Sequence, residues 1–133
     1  MIGIVIVAHG GLAREYLSAM EHVVGKQHGI RAIPIAADCD RETKRAEIIE
    51  AANDVDQGDG VVVVTDMFGG SPSNLSLPAC CKQNRKILYG ANLPMLVKLA
   101  KSRHKSVDAA TVAAMHAGRK YINCIDGCWE SQK

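Results

Sequence analysis

Short uninterrupted apolar runs alternate along this chain with longer stretches in which apolar positions recur every three or four residues. Met1–Ala8 is rich in Ile and Val with no polar alternation, a pattern that suits a strand buried on both faces of a parallel sheet. Leu12–Gly25 sets Leu12, Tyr16, Leu17, Met20, Val23 and Val24 at helical spacing, and Gly25 suits the helix end. Ile30–Ile35 predicts a short second strand. Arg41–Val55 predicts an amphipathic helix with Ala46, Ile48, Ile49, Ala52 and Val55 inward, Asp40 as its N-cap and Gly58 closing it. Gly60–Thr65, with its consecutive valines, is the third strand. Ser71–Gln83 predicts a helix with Ser71 as N-cap and Pro72 at the first position, where a missing N–H costs nothing. Pro78 removes a hydrogen bond inside that helix and predicts a kink. Lys86–Tyr89 is a fourth strand, Pro94–Ser102 and Ser106–Gly118 are two further helices, and Tyr121–Ile125 is expected as a fifth, edge strand.

Helices interposed this regularly imply right-handed crossovers and a mostly parallel sheet sandwiched by helices, an α/β domain spanning residues 1–133. No repeat, linker or low-complexity tract divides it. Sixteen basic residues against fourteen acidic ones leave a formal charge of +2, too balanced to indicate a nucleic-acid partner. Lys98, Lys101, Arg103 and Lys105 cluster, and read as a solvated helix end. No segment approaches the roughly 18–20 apolar residues that span a bilayer, so the protein is not expected to be membrane-embedded. The N-terminus lacks the basic lead of a signal peptide. Cys39, Cys80, Cys81, Cys124 and Cys128 are odd in number and lack paired metal spacing. Free thiols in a reducing cytoplasm are the expectation, with Cys124 and Cys128 the one pair of note.

In a parallel α/β sheet the ligand crevice lies at the carboxyl ends of the strands. The loops after the first, third and fourth strands then gather at one edge. They bring His9-Gly10-Gly11, the segment Asp66–Asn74, and Gly90-Ala91-Asn92-Leu93-Pro94 together. Asp66 can hold one imidazole nitrogen of His9 and leave the other free as a nucleophile. Gly69 and Gly70 let backbone approach a ligand, the helix beginning at Ser71 aims N–H groups at an anion, and Ser71 and Ser73 add hydroxyls. Taken singly, a histidine at a strand end is more often structural, Asp66 could cap a turn, and Asn92 could stabilise one; their convergence carries the reading. His22, His28, His104 and His116 have no such setting and read as surface or structural. A Gly-x-Gly-x-x-Gly fingerprint and a Walker loop are both missing, and His9 stands where a receiver-type aspartate site would need acidic residues.

Three segments resemble a known family in order and spacing: Val5-Ile6-Val7-Ala8-His9-Gly10, Thr65-Asp66-Met67-Phe68-Gly69-Gly70-Ser71-Pro72-Ser73-Asn74, and Gly90-Ala91-Asn92-Leu93-Pro94-Met95-Leu96. The family is the mannose-type enzyme IIA domain of the bacterial phosphotransferase system, and the resemblance covers nearly the whole chain. It implies phosphoenolpyruvate-dependent sugar phosphotransfer. On that resemblance, the histidine phosphocarrier protein, HPr, would donate a phosphoryl group to His9, which would pass it to a histidine of an enzyme IIB. It further implies that Asp66 orients the ring and that Ser71 lies near the phosphoryl group, which Gly69, Gly70 and Ser73 are also expected to help bind. Gly10, Phe68, Asn74, Asn92 and Pro94 would line the site or meet partners. No metal, nucleotide or other cofactor is called for. The family sheet ends in a C-terminal antiparallel edge strand through which members form homodimers, and Tyr121–Ile125 is the matching segment.

The sequence stops at Lys133 without a IIB domain, so the expected acceptor is a separate enzyme IIB. The alternative is a stand-alone regulatory IIA module whose phosphorylation state controls binding to a partner protein. Two rivals fit less well. The phosphotransfer subunit of dihydroxyacetone kinase is related, but the Asp66–Asn74 motif fits the mannose type better. A metal-binding domain would need more ligands than His9 and Asp66 supply.

Overall fold

The computed structural model describes residues 1–67, 69–82 and 84–127. Strands β1 (Gly3–His9), β2 (Ile30–Ile35), β3 (Val61–Thr65) and β4 (Arg85–Tyr89) alternate with helices α1 (Leu12–Val24), α2 (Arg41–Val55), α3 (Ser71–Ser76), α4 (Leu93–Lys101) and α5 (Val107–Lys120). The strands form one parallel sheet in the order β2-β1-β3-β4.

Alternation along the central strands divides the core. Ile4, Ile6, Val62 and Val64 pack with Met20, Leu96, Leu99 and Ala110 from α1, α4 and α5. Val5, Val7, Val61 and Val63 pack with Ile48, Ala52 and Leu75 from α2 and α3. Both faces of β1 and β3 are therefore covered, which is why those strands carry no polar alternation. Gly3 begins β1 where a Cβ would lie 2.4 Å from the Val55 carbonyl oxygen, so glycine is what allows α2 to close on the sheet there.

Several expectations need correction. The helix expected over 71–83 ends at Ser76 and passes into a 3₁₀ turn, Leu77–Cys80. Pro78 has no N–H to bond the carbonyl of Asn74 and its ring crowds that carbonyl, so the helix stops instead of kinking. Gly70 is the N-cap residue and Ser71 already belongs to the helix, a shift of one position. In α2, Ala51 is buried and Ala46 exposed, the reverse of the expected pattern at those two sites. Arg103 is no part of a solvated helix end: it is 3% exposed, and its guanidinium donates to the carbonyls of Ile2 and Gly29 at the amino ends of β1 and β2. Lys98, Lys101 and Lys105 are exposed, as read.

The fifth strand is absent from residues 121–127. Tyr121, Ile122 and Ile125 are 66%, 73% and 63% exposed, and Tyr121–Ile125 runs as irregular chain after α5. A strand needs a ladder partner, and within one chain this segment pairs with none of the described residues. The antiparallel edge strand is therefore not formed here, although the parallel, helix-covered α/β architecture is.

Cys39, Cys80, Cys81 and Cys124 are free thiols, and burial pushes Cys80 up to about 11. Cys128 lies outside the described residues.

Candidate active site

The order of the sheet reverses between β1 and β3, because the chain leaves β1 for β2 on one side and reaches β3 on the other. Connections diverge at such a point and open a crevice at the carboxyl ends of the two strands. Val7 pairs with Thr65, so the next residues of both strands emerge there together. One strand delivers His9 and the other delivers Asp66.

The carboxylate of Asp66 organises this crevice. Its Oδ2 accepts the backbone N–H of His9 at 3.0 Å and lies 2.8 Å from His9 Nδ1, while Oδ1 accepts the N–H of Met67 at 3.0 Å. Burial alone would raise the Asp66 carboxyl. The hydrogen bonds from the His9 backbone and ring, with the ring's charge when protonated, outweigh burial and hold it below the ordinary carboxylate value. An ionised carboxylate only accepts, so Nδ1 must donate, and in a neutral ring the lone pair then sits on Nε2. Asp66 is 10% exposed at its side chain and His9 is 46% exposed. The orienting group is thus half-buried and the oriented group more accessible. No hydrogen bond to Nε2 comes from the described residues.

Gly70 lies against the free edge of the ring. A Cβ there would stand 3.0 Å from His9 Cε1 and 3.4 Å from Nε2. Its backbone is extended, with φ −84°, so the position is demanding for proximity and not for torsion. Ser71 is half-buried and shares with His9 and Gly10 a cavity of about 400 Å³ that also reaches Ile35, Cys39 and Arg41.

Other residues singled out from the sequence do different work. Ser73 is 2% exposed, and its Oγ accepts from Gly69 N–H at 2.9 Å and donates to Gly70 O at 3.1 Å. Ser73 and Gly69 therefore tie the loop to itself and hold Gly70 in place. Asn74 is exposed on α3. Asn92 caps α4 by accepting from Met95 N–H at 3.0 Å and donates its amide to Gly118 O at 2.9 Å, so both its ends serve the scaffold. Pro94 lines a separate groove with Val23, Leu93 and Val97. Phe68 lies outside the described residues. His22, His28, His104 and His116 are all exposed and away from this cavity.

Two neighbours escaped the sequence reading. Arg41 and Cys39 reach the His9 cavity from the segment after β2. Arg41 Nη1 lies 3.4 Å from Ser71 Oγ. The available signal was topological: β2 is parallel to β1, so its following loop opens on the same edge. Tyr16 on α1 also approaches, donating to Ala91 O at 3.3 Å; burial, and then the charge of Asp66, raise its phenol above the ordinary value. Among the described residues no three His, Cys, Asp or Glu side chains gather as a metal cluster would require.

Fold and site together define a doubly wound parallel α/β domain with an accessible imidazole, oriented by a half-buried carboxylate at the switch point. The EIIA-man family model, described as the PTS system fructose IIA component, matches residues 3–116, and the chain belongs to that family. It is 29% identical over 127 residues to the PTS system mannose-specific EIIAB component of Escherichia coli strain K12, covering 93% of this chain and 39% of that protein. The chain thus spans about two fifths of the length of this relative. It is 24% identical over 104 residues to the PTS system fructose-specific EIIA component of Bacillus subtilis strain 168, covering 77% of this chain and 71% of that one. The crystal structure of phosphotransferase system component EIIA from Streptococcus agalactiae superposes with a TM-score of 0.83 at 28% identity, covering 93% of this chain and 97% of that one. The resemblance carried by the three sequence segments is therefore correct. No helix among the described residues is long and apolar enough to cross a membrane.

Proposed function

We propose that this protein is a phosphocarrier that receives a phosphoryl group on Nε2 of His9 from phosphorylated HPr and passes it to a IIB-type histidine in sugar phosphotransfer. One observation carries the reading: the 2.8 Å contact that commits Nδ1 to Asp66 and leaves Nε2 as the accessible nucleophile. The Nε2 lone pair attacks phosphorus in line with the donor nitrogen. The new N–P bond forms as the donor's P–N bond breaks, and that electron pair returns to the donor imidazole, which is protonated at its other nitrogen and departs neutral. The Nδ1 proton stays on the ring, held by Asp66, whose negative charge offsets the positive charge the ring acquires. Such transfer passes through a loose transition state, so positioning and electrostatics supply most of the catalysis. Transfer onward to the IIB histidine reverses the same steps. The cavity that His9 shares with Gly10 and Ser71 is where the phosphoryl group would sit.

A homodimer is part of the same proposal. The outer edge of β4 is paired with no other strand among the described residues, and Tyr121, Ile122 and Ile125 are exposed on the segment after α5. A groove of about 270 Å³ lined by Ile87, Leu88, Met95, Met115 and Ile122 runs along that edge. An open strand edge beside an exposed apolar segment is completed when a second copy supplies the segment.

The test is intact-mass analysis after incubation with phosphoenolpyruvate, enzyme I and HPr. The expected result is one acid-labile phosphoryl group, lost in His9→Ala. Labelling retained in His9→Ala moves the site elsewhere, and an unlabelled wild-type protein beside active enzyme I and HPr refutes the relay.

A further inference from the structure

We propose that Arg41 binds the phosphoryl group on His9, completing the site from the strand end opposite Asp66; this rests on the relay reading above. Arg41 is the first residue of α2 and enters the cavity that contains His9, Gly10 and Ser71. Its Nη1 lies 3.4 Å from Ser71 Oγ, which places the guanidinium across the cavity from its own helix. Among the residues lining that cavity it is the one permanent cation.

Two features show that helix stability does not explain this arginine. The first turn of a helix presents unbonded N–H groups and disfavours positive charge, a role that Glu42 fills in the favourable sense. Arg41 also makes no ion pair within the described residues, unlike Arg31 and Arg85, which meet Asp54 and Asp56. A cation placed against its local preference and in no ion pair among the described residues thus stands in the cavity onto which His9 opens.

The chemistry of the phosphorylated state supplies the missing partner. A phosphoryl group on Nε2 carries close to two negative charges into a crevice that already holds the Asp66 carboxylate. A guanidinium neutralises it with parallel donors whose spacing matches two phosphoryl oxygens, a geometry that an ammonium lacks. Arg41 then bridges Ser71 and the phosphoryl group. Because negative charge remains on those oxygens in a loose transition state, the contact lowers the barrier to phosphorylation of His9.

The experiment compares Arg41→Gln, Arg41→Lys and Arg45→Gln with wild type, using phosphorylated HPr and, separately, phosphoramidate as donors. With phosphoramidate, Nε2 forms its bond to phosphorus while the P–N bond of the N-protonated donor breaks and ammonia leaves, so no protein partner is involved. Arg41→Gln is expected to slow labelling of His9 roughly 10- to 100-fold with both donors. Arg41→Lys should recover part of that loss, and Arg45→Gln, exposed one turn further along α2, should leave the rate unchanged. The Arg41 Nε–H resonance should shift on phosphorylation of His9, a response that a purely structural arginine would not give. Rates within about twofold of wild type for Arg41→Gln, with wild type labelled normally, overturn the role of Arg41 and leave the relay standing. A loss confined to phosphorylated HPr also overturns it, since the contact would then be to the donor protein. An Arg41 resonance indifferent to phosphorylation overturns it even if the glutamine variant folds poorly. Failure of wild type with both donors removes the relay itself.

Discussion

Replacing Asp66 by asparagine preserves size while removing the negative charge and the ability of both carboxyl oxygens to accept. In the native site Oδ2 takes the His9 N–H and the Nδ1 proton, and Oδ1 takes the Met67 N–H. An asparagine that keeps its oxygen toward His9 turns its NH2 onto the Met67 N–H. The flipped amide faces NH2 against the His9 N–H and forces Nδ1 to accept, which moves the ring proton to Nε2 and removes the nucleophilic lone pair. Either way a hydrogen bond is broken and the charge facing the ring is gone, a loss of the size of one charge-assisted contact, about 1.5–3 kcal/mol. Converted to a rate, that is roughly a 10- to 150-fold fall in phosphoryl transfer to His9. Rapid-quench labelling with phosphorylated HPr measures it, and long-range 15N spectra of the His9 ring report the tautomer. The same carboxylate makes an acid-side prediction. Its folded value lies below the ordinary 3.8, so its stabilising contribution is complete above that pH and is lost as pH falls through the folded value. Wild type should therefore lose its stability advantage over Asp66→Asn below about pH 4 in thermal melts. Transfer by Asp66→Asn within about twofold of wild type, or a native ring protonated on Nε2, would refute the orienting role.

Three further changes probe other parts of the argument. Gly70→Ala puts a methyl 3.0 Å from His9 Cε1 without backbone strain, so transfer should slow about tenfold or more while the melting temperature barely moves; an unchanged rate would mean that the ring has room to shift. Thr65 is fully buried and its hydroxyl finds no partner among the described residues, so Thr65→Val should stabilise the protein by about 1 kcal/mol in urea unfolding, and destabilisation would reveal an unseen bond. Ile122→Asp should shift the proposed dimer toward monomer in sedimentation without altering monomer stability, because Ile122 is 73% exposed in the single chain; a monomeric wild type would end that proposal.

Most of the strand and helix order was legible along the chain because β1 and β3 are covered on both faces, which imposes the continuous Ile and Val runs seen at Met1–Ala8 and Gly60–Thr65. The pairing of His9 with Asp66 was legible for a related reason. His9 ends one such strand and Asp66 directly follows the other, and the geometry of a parallel sheet sends both to one edge whatever the side chains do later. Pro78 carried its own consequence, as a residue unable to continue a helix, although where the chain would break and reform as a 3₁₀ turn depended on packing around Ala79.

Other assignments waited on three dimensions. Ser73 and Asn92 carry groups able to serve a ligand, and the direction of their hydrogen bonds, into the loop and onto Gly118, decides that they serve the scaffold. Arg103 reads as one more solvated base, yet it satisfies carbonyls at the ends of two strands some seventy to a hundred residues away, because α4 delivers it beneath the sheet. Arg41 lies far from His9 in sequence and reaches the cavity only through the placement of α2. The apolar pattern of Tyr121–Ile125 suits a strand but cannot name a ladder partner. Periodicity and strand-end position are local properties, written in order along the chain. Hydrogen-bond direction, the burial of a charge and the pairing of an edge are relations between distant residues, and those exist only once the layers have packed.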